Sequence, residues 1–249
     1  MKTTIIGRME EQKRLSEIRN SNKSEFVAIY GRRRVGKTFL VRQLFQKDFT
    51  FDLVGLAKSN TVKQLINFNQ SLNRSFNANY SVPKHWLEAF DQLITALSQS
   101  NQARKIVFID EISWLDTPKS GFLQALEHFW NGWACGRNDI VLIVCGSATS
   151  WIVKNIMNNH GGLHNRLTAN IHLQVFTLHE CEQYFRSVNI DLSRHQIAEI
   201  YMVMGGIPYY LSLMQPRFSL YQNVDEMYFI RGAELSNEFE NPSFVNKLM

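Results

Sequence analysis

Eight residues constrain this chain more than any others: Gly31-Arg32-Arg33-Arg34-Val35-Gly36-Lys37-Thr38 fits the spacing GxxxxGK[ST]. Their flanks fit as well. Phe26-Val27-Ala28-Ile29-Tyr30 is a short apolar, β-branched run of the kind that forms a buried strand. On the other side, Phe39, Leu40, Leu44 and Phe45 recur at helical spacing. Strand, glycine-bracketed turn and helix is the setting in which main-chain N–H groups at a helix N-terminus point at a polyphosphate. The expected nucleotide-binding residues are therefore Gly31, Arg32, Arg33, Arg34, Val35, Gly36, Lys37, Thr38 and the helical Phe39. In that setting Lys37 reaches the β/γ-phosphates and the Thr38 hydroxyl coordinates Mg²⁺.

Composition permits such a domain and excludes other classes. The 249 residues are 45% apolar and 20% charged, ordinary for a globular chain with a sizeable core. There is no run of about 18 apolar residues, and Met1-Lys2-Thr3-Thr4 lacks a signal-peptide core, so a cytoplasmic protein with no membrane span is expected. Charge is unevenly placed. Residues 1–47 hold 12 Lys+Arg against 4 Asp+Glu, whereas the rest hold 15 against 18. Basicity thus gathers around the phosphate loop, where an anion would sit. From Leu178 onward 5 basic residues face 9 acidic ones, a poor composition for a DNA-binding face. Cys135, Cys145 and Cys181 are odd in number and far apart, which points to free thiols rather than a disulfide framework or a CxxC metal site.

The pattern along the chain predicts an α/β fold. A short helix over 10–19 precedes the 26–30 strand. A strand over 49–54, helices over 61–74 and 86–97, a strand over 106–109, and a helix carrying Phe122, Leu126, Phe129 and Trp130 on one face follow. Further strands are read at 140–144 and 171–175. Continuous apolar strands alternating with helices imply a five-stranded parallel sheet between helices. After Phe176 only helical segments are read, at 180–188, 195–204 and 209–215. The expected division is a nucleotide-binding α/β domain over 1–177 and a small all-α lid over 178–249.

A second motif supplies the chemistry. Ile106-Val107-Phe108-Ile109-Asp110-Glu111 is an apolar strand ending in two carboxylates, which in a parallel sheet face the crevice of the phosphate loop. Asp110 is expected to hold Mg²⁺ and Glu111 to orient the attacking water. The Asn-Lys-x-Asp reader of a GTPase is missing, since Asn22-Lys23-Ser24-Glu25 lies upstream and lacks the Asp. ATP is the expected nucleotide. Ser147, past the fourth strand, reads either as a contact to the water or γ-phosphate or as the N-cap of a 149–157 helical segment. Arg166, before the fifth strand, reads either as a cation for phosphoryl-transfer charge, in its own or a neighbouring subunit, or as a surface arginine. His160 and His164 are spaced i, i+4, but Gly161 and Gly162 between them and the lack of an acidic partner argue against a zinc site. Phe129, Trp130 and Trp133 read as core or interdomain packing, with an assembly surface as the alternative.

Together these residues resemble the prokaryotic AAA+/STAND-like ATPases of the archaeal ATPase family, over nearly the whole chain. Ile6-Gly7-Arg8 with Glu10 and Glu11 is similar to that family's N-terminal motif, so the resemblance places Gly7 and Arg8 near the adenine. The triple arginine of the phosphate loop, the Asp110-Glu111 strand end and Gly146-Ser147 at the sensor-1 position are similar too. Asn165-Arg166-Leu167-Thr168 resembles a Gly-Arg-Leu-Thr segment whose arginine is the finger, with Asn in place of the glycine. Gly205-Gly206-Ile207-Pro208-Tyr209-Tyr210 resembles the GGxP signature of the lid, which brings Pro208 into the nucleotide set. Family members usually continue into a winged-helix segment and often a nuclease-like domain. This sequence reaches Met249 soon after Phe239 and Pro242, so only the ATPase part is expected in it. The resemblance implies Mg²⁺-dependent ATP hydrolysis that drives a rearrangement of a DNA or protein partner, with homo-oligomers if Arg166 acts across subunits. The alternative is a nucleotide-dependent scaffold with little turnover. A small-molecule kinase is a third reading, less favoured because no group for a second substrate is visible.

Overall fold

A computed structural model describes residues 5–158, 161–163, 165–230 and 232–236. His160, His164, Phe239 and Pro242 lie outside the described residues. The chain forms two compact units, Met1–Gln174 and Val175–Met249.

The first unit is built on five parallel strands: β1 (Glu25–Tyr30), β2 (Phe49–Val54), β3 (Lys105–Asp110), β4 (Ile140–Gly146) and β5 (Ala169–His172). Their order across the sheet is β2-β3-β4-β1-β5, and every neighbouring pair runs parallel. α1 (Met9–Arg19) precedes them, and between them run α2 (Lys37–Phe45), α3 (Thr61–Phe76), α4 (Trp86–Gln99), α5 (Phe122–Gly132) and α6 (Thr149–Ile152), the last continued by a π-turn over Val153–Met157. Strand side chains alternate between faces. On one face Phe26, Ala28, Val107, Ile109, Leu142 and Val144 join the large cluster that includes Leu65 and Phe68 of α3, Phe90 and Leu93 of α4, and Phe122, Phe129 and Trp130 of α5. The residues of opposite parity, Val27, Ile29, Ile106, Phe108, Val141 and Ile143, are also buried and lie outside that cluster. The central strands are therefore covered on both sides, which is why they read as unbroken apolar runs rather than as an alternation.

The sequence-based boundary of the last strand is displaced. The ladder ends at His172 instead of running over 171–175, and it begins earlier, at Ala169. Only Leu173 still bonds to β1, through its N–H to the Tyr30 carbonyl at 2.8 Å. The expected 149–157 helix is present as one α-turn and the π-turn. No helix among the described residues is long and apolar enough to cross a membrane.

The second unit contains α7 (Leu178–Ser187), α8 (Arg194–Met204), α9 (Pro208–Ser212), α10 (Leu220–Val224) and a π-turn over Asp225–Phe229. Local chemistry sets its helix ends. Thr177 with Glu180, and Ser193 with Gln196, form capping boxes at the starts of α7 and α8. Gly205 ends α8 in the left-handed region (φ 65°), and Pro208 is the first residue of α9. Gly206 is needed for a closer reason. Its φ is also positive (64°), and a β-carbon there would fall onto the Phe176 carbonyl and the Tyr201 ring. Within this signature Gly206 is the position that no other residue fills without displacing its neighbours.

At the amino-terminal edge of the sheet an ion cluster fixes β3 against β4. Lys105 Nζ pairs with Asp139 at 2.8 Å, and Arg137 Nε donates to the same carboxylate at 2.7 Å. These donors, Arg137 first, hold Asp139 well below the usual carboxylate range. Asp139→Asn is expected to lower unfolding stability by about 1–2 kcal/mol at neutral pH. Because the folded pKa is depressed, that stability is present above the unfolded value of about 4 and is lost as pH falls below it. Denaturant melts of both proteins at pH 7 and pH 3 should therefore show a gap that narrows in acid.

Candidate nucleotide site

The parallel order places the ends of β1, β3 and β4 side by side, and the candidate residues lie on those ends. Residues 31–36 leave β1 and turn back into α2. Gly31 has φ 144°, and a β-carbon on it would penetrate the Leu173 carbonyl, so only glycine lets the loop pass over the exit of β5. Arg34 (φ 70°) and Gly36 (φ 93°) also adopt positive φ, which tightens the turn. Lys37 opens α2, is buried, and donates through Nζ to the carbonyls of Gly31 and Arg32, each at 2.9 Å. Burial lowers its pKa, opposed by the neighbouring carboxylates of Glu111 and Asp110.

Thr38 brings the two motifs together. Its Oγ1 donates to Asp110 Oδ2 at 2.7 Å. The other carboxylate oxygen of the buried Asp110 accepts the Glu111 N–H at 2.9 Å. Glu111 stands just beyond β3 in the left-handed region (φ 47°, ψ 46°), a conformation a non-glycine residue rarely adopts. Ser147, just beyond β4, donates its hydroxyl to Glu111 at 3.0 Å, and its N–H reaches the same carboxylate at 3.3 Å. The Ser147 side chain therefore serves Glu111, and α6 begins without a side-chain cap.

The remaining sequence candidates divide. Arg8, at the N-terminus of α1, is buried behind the loop, with Nη2 donating to the carbonyls of Val35 (3.4 Å) and Gln174 (2.5 Å). Gly7 precedes it with φ 60°. Phe39 is partly exposed on α2. Pro208 belongs to the second unit. Arg166 is exposed, and the register carries it away from the loop. Thr168 bonds Phe26 in both directions, by N–H to carbonyl at 2.9 Å and by Oγ1 from the Phe26 N–H at 3.1 Å. Phe26 and Gly31 are five extended residues apart, roughly 17 Å. Arg166, two residues before Thr168, thus lies near the amino-terminal end of β1, whereas the phosphate loop leaves its carboxyl end. Asn165 before it has φ 53°, in the left-handed region that asparagine tolerates better than most residues.

Two features escaped the sequence reading. Cys145 on β4 is a buried thiol beside Asp110, Lys37 and Glu111, and burial pushes its pKa well above the usual thiol value. The segment His172-Leu173-Gln174 is packed on the loop: the His172 ring stacks on Tyr30 with centroids 4.8 Å apart, and Gln174 Nε2 is 2.7 Å from His172 Nδ1. Neither carries a motif. Both follow only from the strand order.

A phosphate loop at the carboxyl edge of a parallel sheet in the order 2-3-4-1-5 defines a P-loop nucleotide-binding fold of the ATPase type. The chain belongs to the family described as the ATPase domain predominantly from Archaea, whose model matches residues 6–214. It is 24% identical over 259 aligned residues to an uncharacterised protein of Methanocaldococcus jannaschii, covering 98% of this chain and 53% of that one. The chain thus spans about half the length of this curated relative. Its fold is similar to the Walker-type ATPase of Pyrococcus abyssi, with a TM-score of 0.67 and 17% identity over 98% of this chain and 75% of that one. It is also similar to the Aeropyrum pernix ORC2 protein solved as ADPNP–ADP complexes, with a TM-score of 0.58 and 17% identity over 85% and 62% of the two chains.

Gly31→Ala tests the packing that shapes the loop. The substitution should lower the melting temperature and weaken nucleotide binding by about tenfold or more, since the loop cannot close over Leu173 without displacement. Calorimetry of the purified variant measures both, and wild-type values for either would contradict the close approach.

Proposed function

We propose that this chain is a Mg²⁺-dependent ATPase, converting ATP to ADP and phosphate. The observation that carries the reading is the Thr38–Asp110 hydrogen bond, which joins the phosphate loop to the acidic strand end. Loop N–H groups at the start of α2 and the Lys37 ammonium supply the positive field that a triphosphate needs. Arg32 and Arg33 add to that field.

The donor set suits Mg²⁺. The cation prefers hard oxygen ligands at about 2.1 Å in octahedral geometry, so two cis ligands lie roughly 2.9 Å apart. Thr38 Oγ1 and Asp110 Oδ2 are 2.7 Å apart. The described residues contain no group of three His, Cys, Asp or Glu able to hold a metal, and a site shared with phosphate oxygens and water requires none. These two residues would hold the ion, and a bound Mg²⁺ would neutralise charge developing on the phosphates. Glu111 accepts a proton from the attacking water and orients it toward the γ-phosphate, while Ser147 aims the Glu111 carboxylate. Gly7 and Phe39 complete the nucleotide set by resemblance. Arg166 acts on the nucleotide of a neighbouring subunit, which makes a homo-oligomer the active form. Hydrolysis then drives a change in a protein or DNA partner.

A second reading, a nucleotide-dependent scaffold with little turnover, has one observation in its favour: Ser147 engages both oxygens of Glu111, leaving the base occupied. Phosphate release separates the two. With Glu111→Gln, ATP binding should persist while phosphate release falls by about 10²–10⁴. Equal, slow release by both proteins would favour the scaffold. With Lys37→Ala, ATP affinity should fall by ~100-fold or more, the scale of a lost buried charge contact. Activity per chain should also rise with protein concentration and disappear in Arg166→Ala, and a flat dependence would remove the neighbouring-subunit role.

A further inference from the structure

The resemblance assigns Arg8 to the adenine, but its position points elsewhere. The guanidinium is buried, and one nitrogen bridges two main-chain carbonyls, that of Val35 in the phosphate loop and that of Gln174 just past β5. In a planar trans peptide the C=O and the following N–H point in opposite directions. A donor that holds the Val35 carbonyl from behind therefore turns the Gly36 N–H outward, toward the place where a phosphate oxygen would lie. The far anchor of this bridge is fixed. Leu173 N–H bonds the Tyr30 carbonyl at 2.8 Å, and the Leu173 carbonyl abuts Gly31. The His172 ring stacks on Tyr30, and Gln174 holds the His172 ring nitrogen. Arg8 itself adopts φ 57°, an unfavourable conformation for arginine that the surrounding contacts impose.

We infer that Arg8 is a positioning residue for the phosphate loop, holding the Val35–Gly36 peptide in its anion-binding orientation against the β5 exit, rather than a reader of the base. The inference rests on the proposed nucleotide binding and deepens it. It makes the contribution of Arg8 independent of the base, because what it orients is an N–H group that meets phosphate alone. The fixed cation behind the loop acts in the same direction, favouring any polyphosphate.

Tripolyphosphate, which has no base or ribose, tests this directly. Its affinity and that of ATP are measured by titration calorimetry on wild type, Arg8→Gln and Arg8→Lys, with circular dichroism confirming that each variant is folded. Arg8→Gln should weaken both ligands by the same factor, about tenfold, the scale of one charge-assisted hydrogen bond. The preference for ATP over GTP should not change. Arg8→Lys, which keeps a cation with three donors, should recover part of the loss for both ligands. Arg8→Gln that weakens ATP but leaves tripolyphosphate untouched would overturn the inference in favour of a base contact, as would a shifted ATP-to-GTP ratio. Unchanged affinity for both ligands would also overturn it. Wild type that binds neither ligand would remove the nucleotide reading itself, a result distinct from any variant effect.

Discussion

The contact on which the rest depends is the hydrogen bond from the Thr38 hydroxyl to the Asp110 carboxylate, 2.7 Å long. Its partners are far apart in sequence and meet because β4 lies between β1 and β3, with all three strands parallel. Strands that run the same way must return by crossovers, so their carboxyl ends collect along one edge with the loops that follow them. Loop, acids and Ser147 share that edge for this reason. Arg166 precedes a strand instead of following one, which puts it at the other edge.

Burying these charges has a cost that the surrounding groups offset. Asp110 is buried and accepts bonds from Thr38 and from the Glu111 N–H. Lys37 is buried and spends two donors on loop carbonyls. Both arrangements keep a charged group satisfied by protein partners, as buried ions require. Backbone strain also falls at the site, where Arg8, Arg34 and Glu111 all have positive φ. Such clustering is typical of sites where surrounding packing, rather than local preference, decides the conformation.

Much of this was legible in the sequence because the relevant signals are local. The glycine-bracketed loop, the apolar run ending in two acids and the apolar strands each announce themselves within ten residues or so, and the five-stranded parallel sheet follows from their alternation. What the sequence concealed was long-range. Whether Ser147 caps a helix or holds Glu111 depends on β4 lying beside β3. The contact of Arg8 with Val35 and Gln174 depends on α1 and the β5 exit converging on the loop, which no spacing rule encodes. The shift of the last strand from 171–175 to Ala169–His172 has a similar origin, since Leu173 and Gln174 are as apolar or neutral as strand residues but are diverted to support Gly31. The π-turns over Val153–Met157 and Asp225–Phe229 had no periodic signature to find.

The central claim is that one triphosphate and one cation occupy the space between residues 31–38 and 110–111. A crystal structure of the chain with Mg²⁺ and a non-hydrolysable ATP analogue tests it most directly. The account predicts phosphates wrapped by the main chain of residues 31–38, with the cation held by Thr38 and Asp110. Nucleotide bound elsewhere, or phosphates in the loop with the cation remote from both residues, would contradict it.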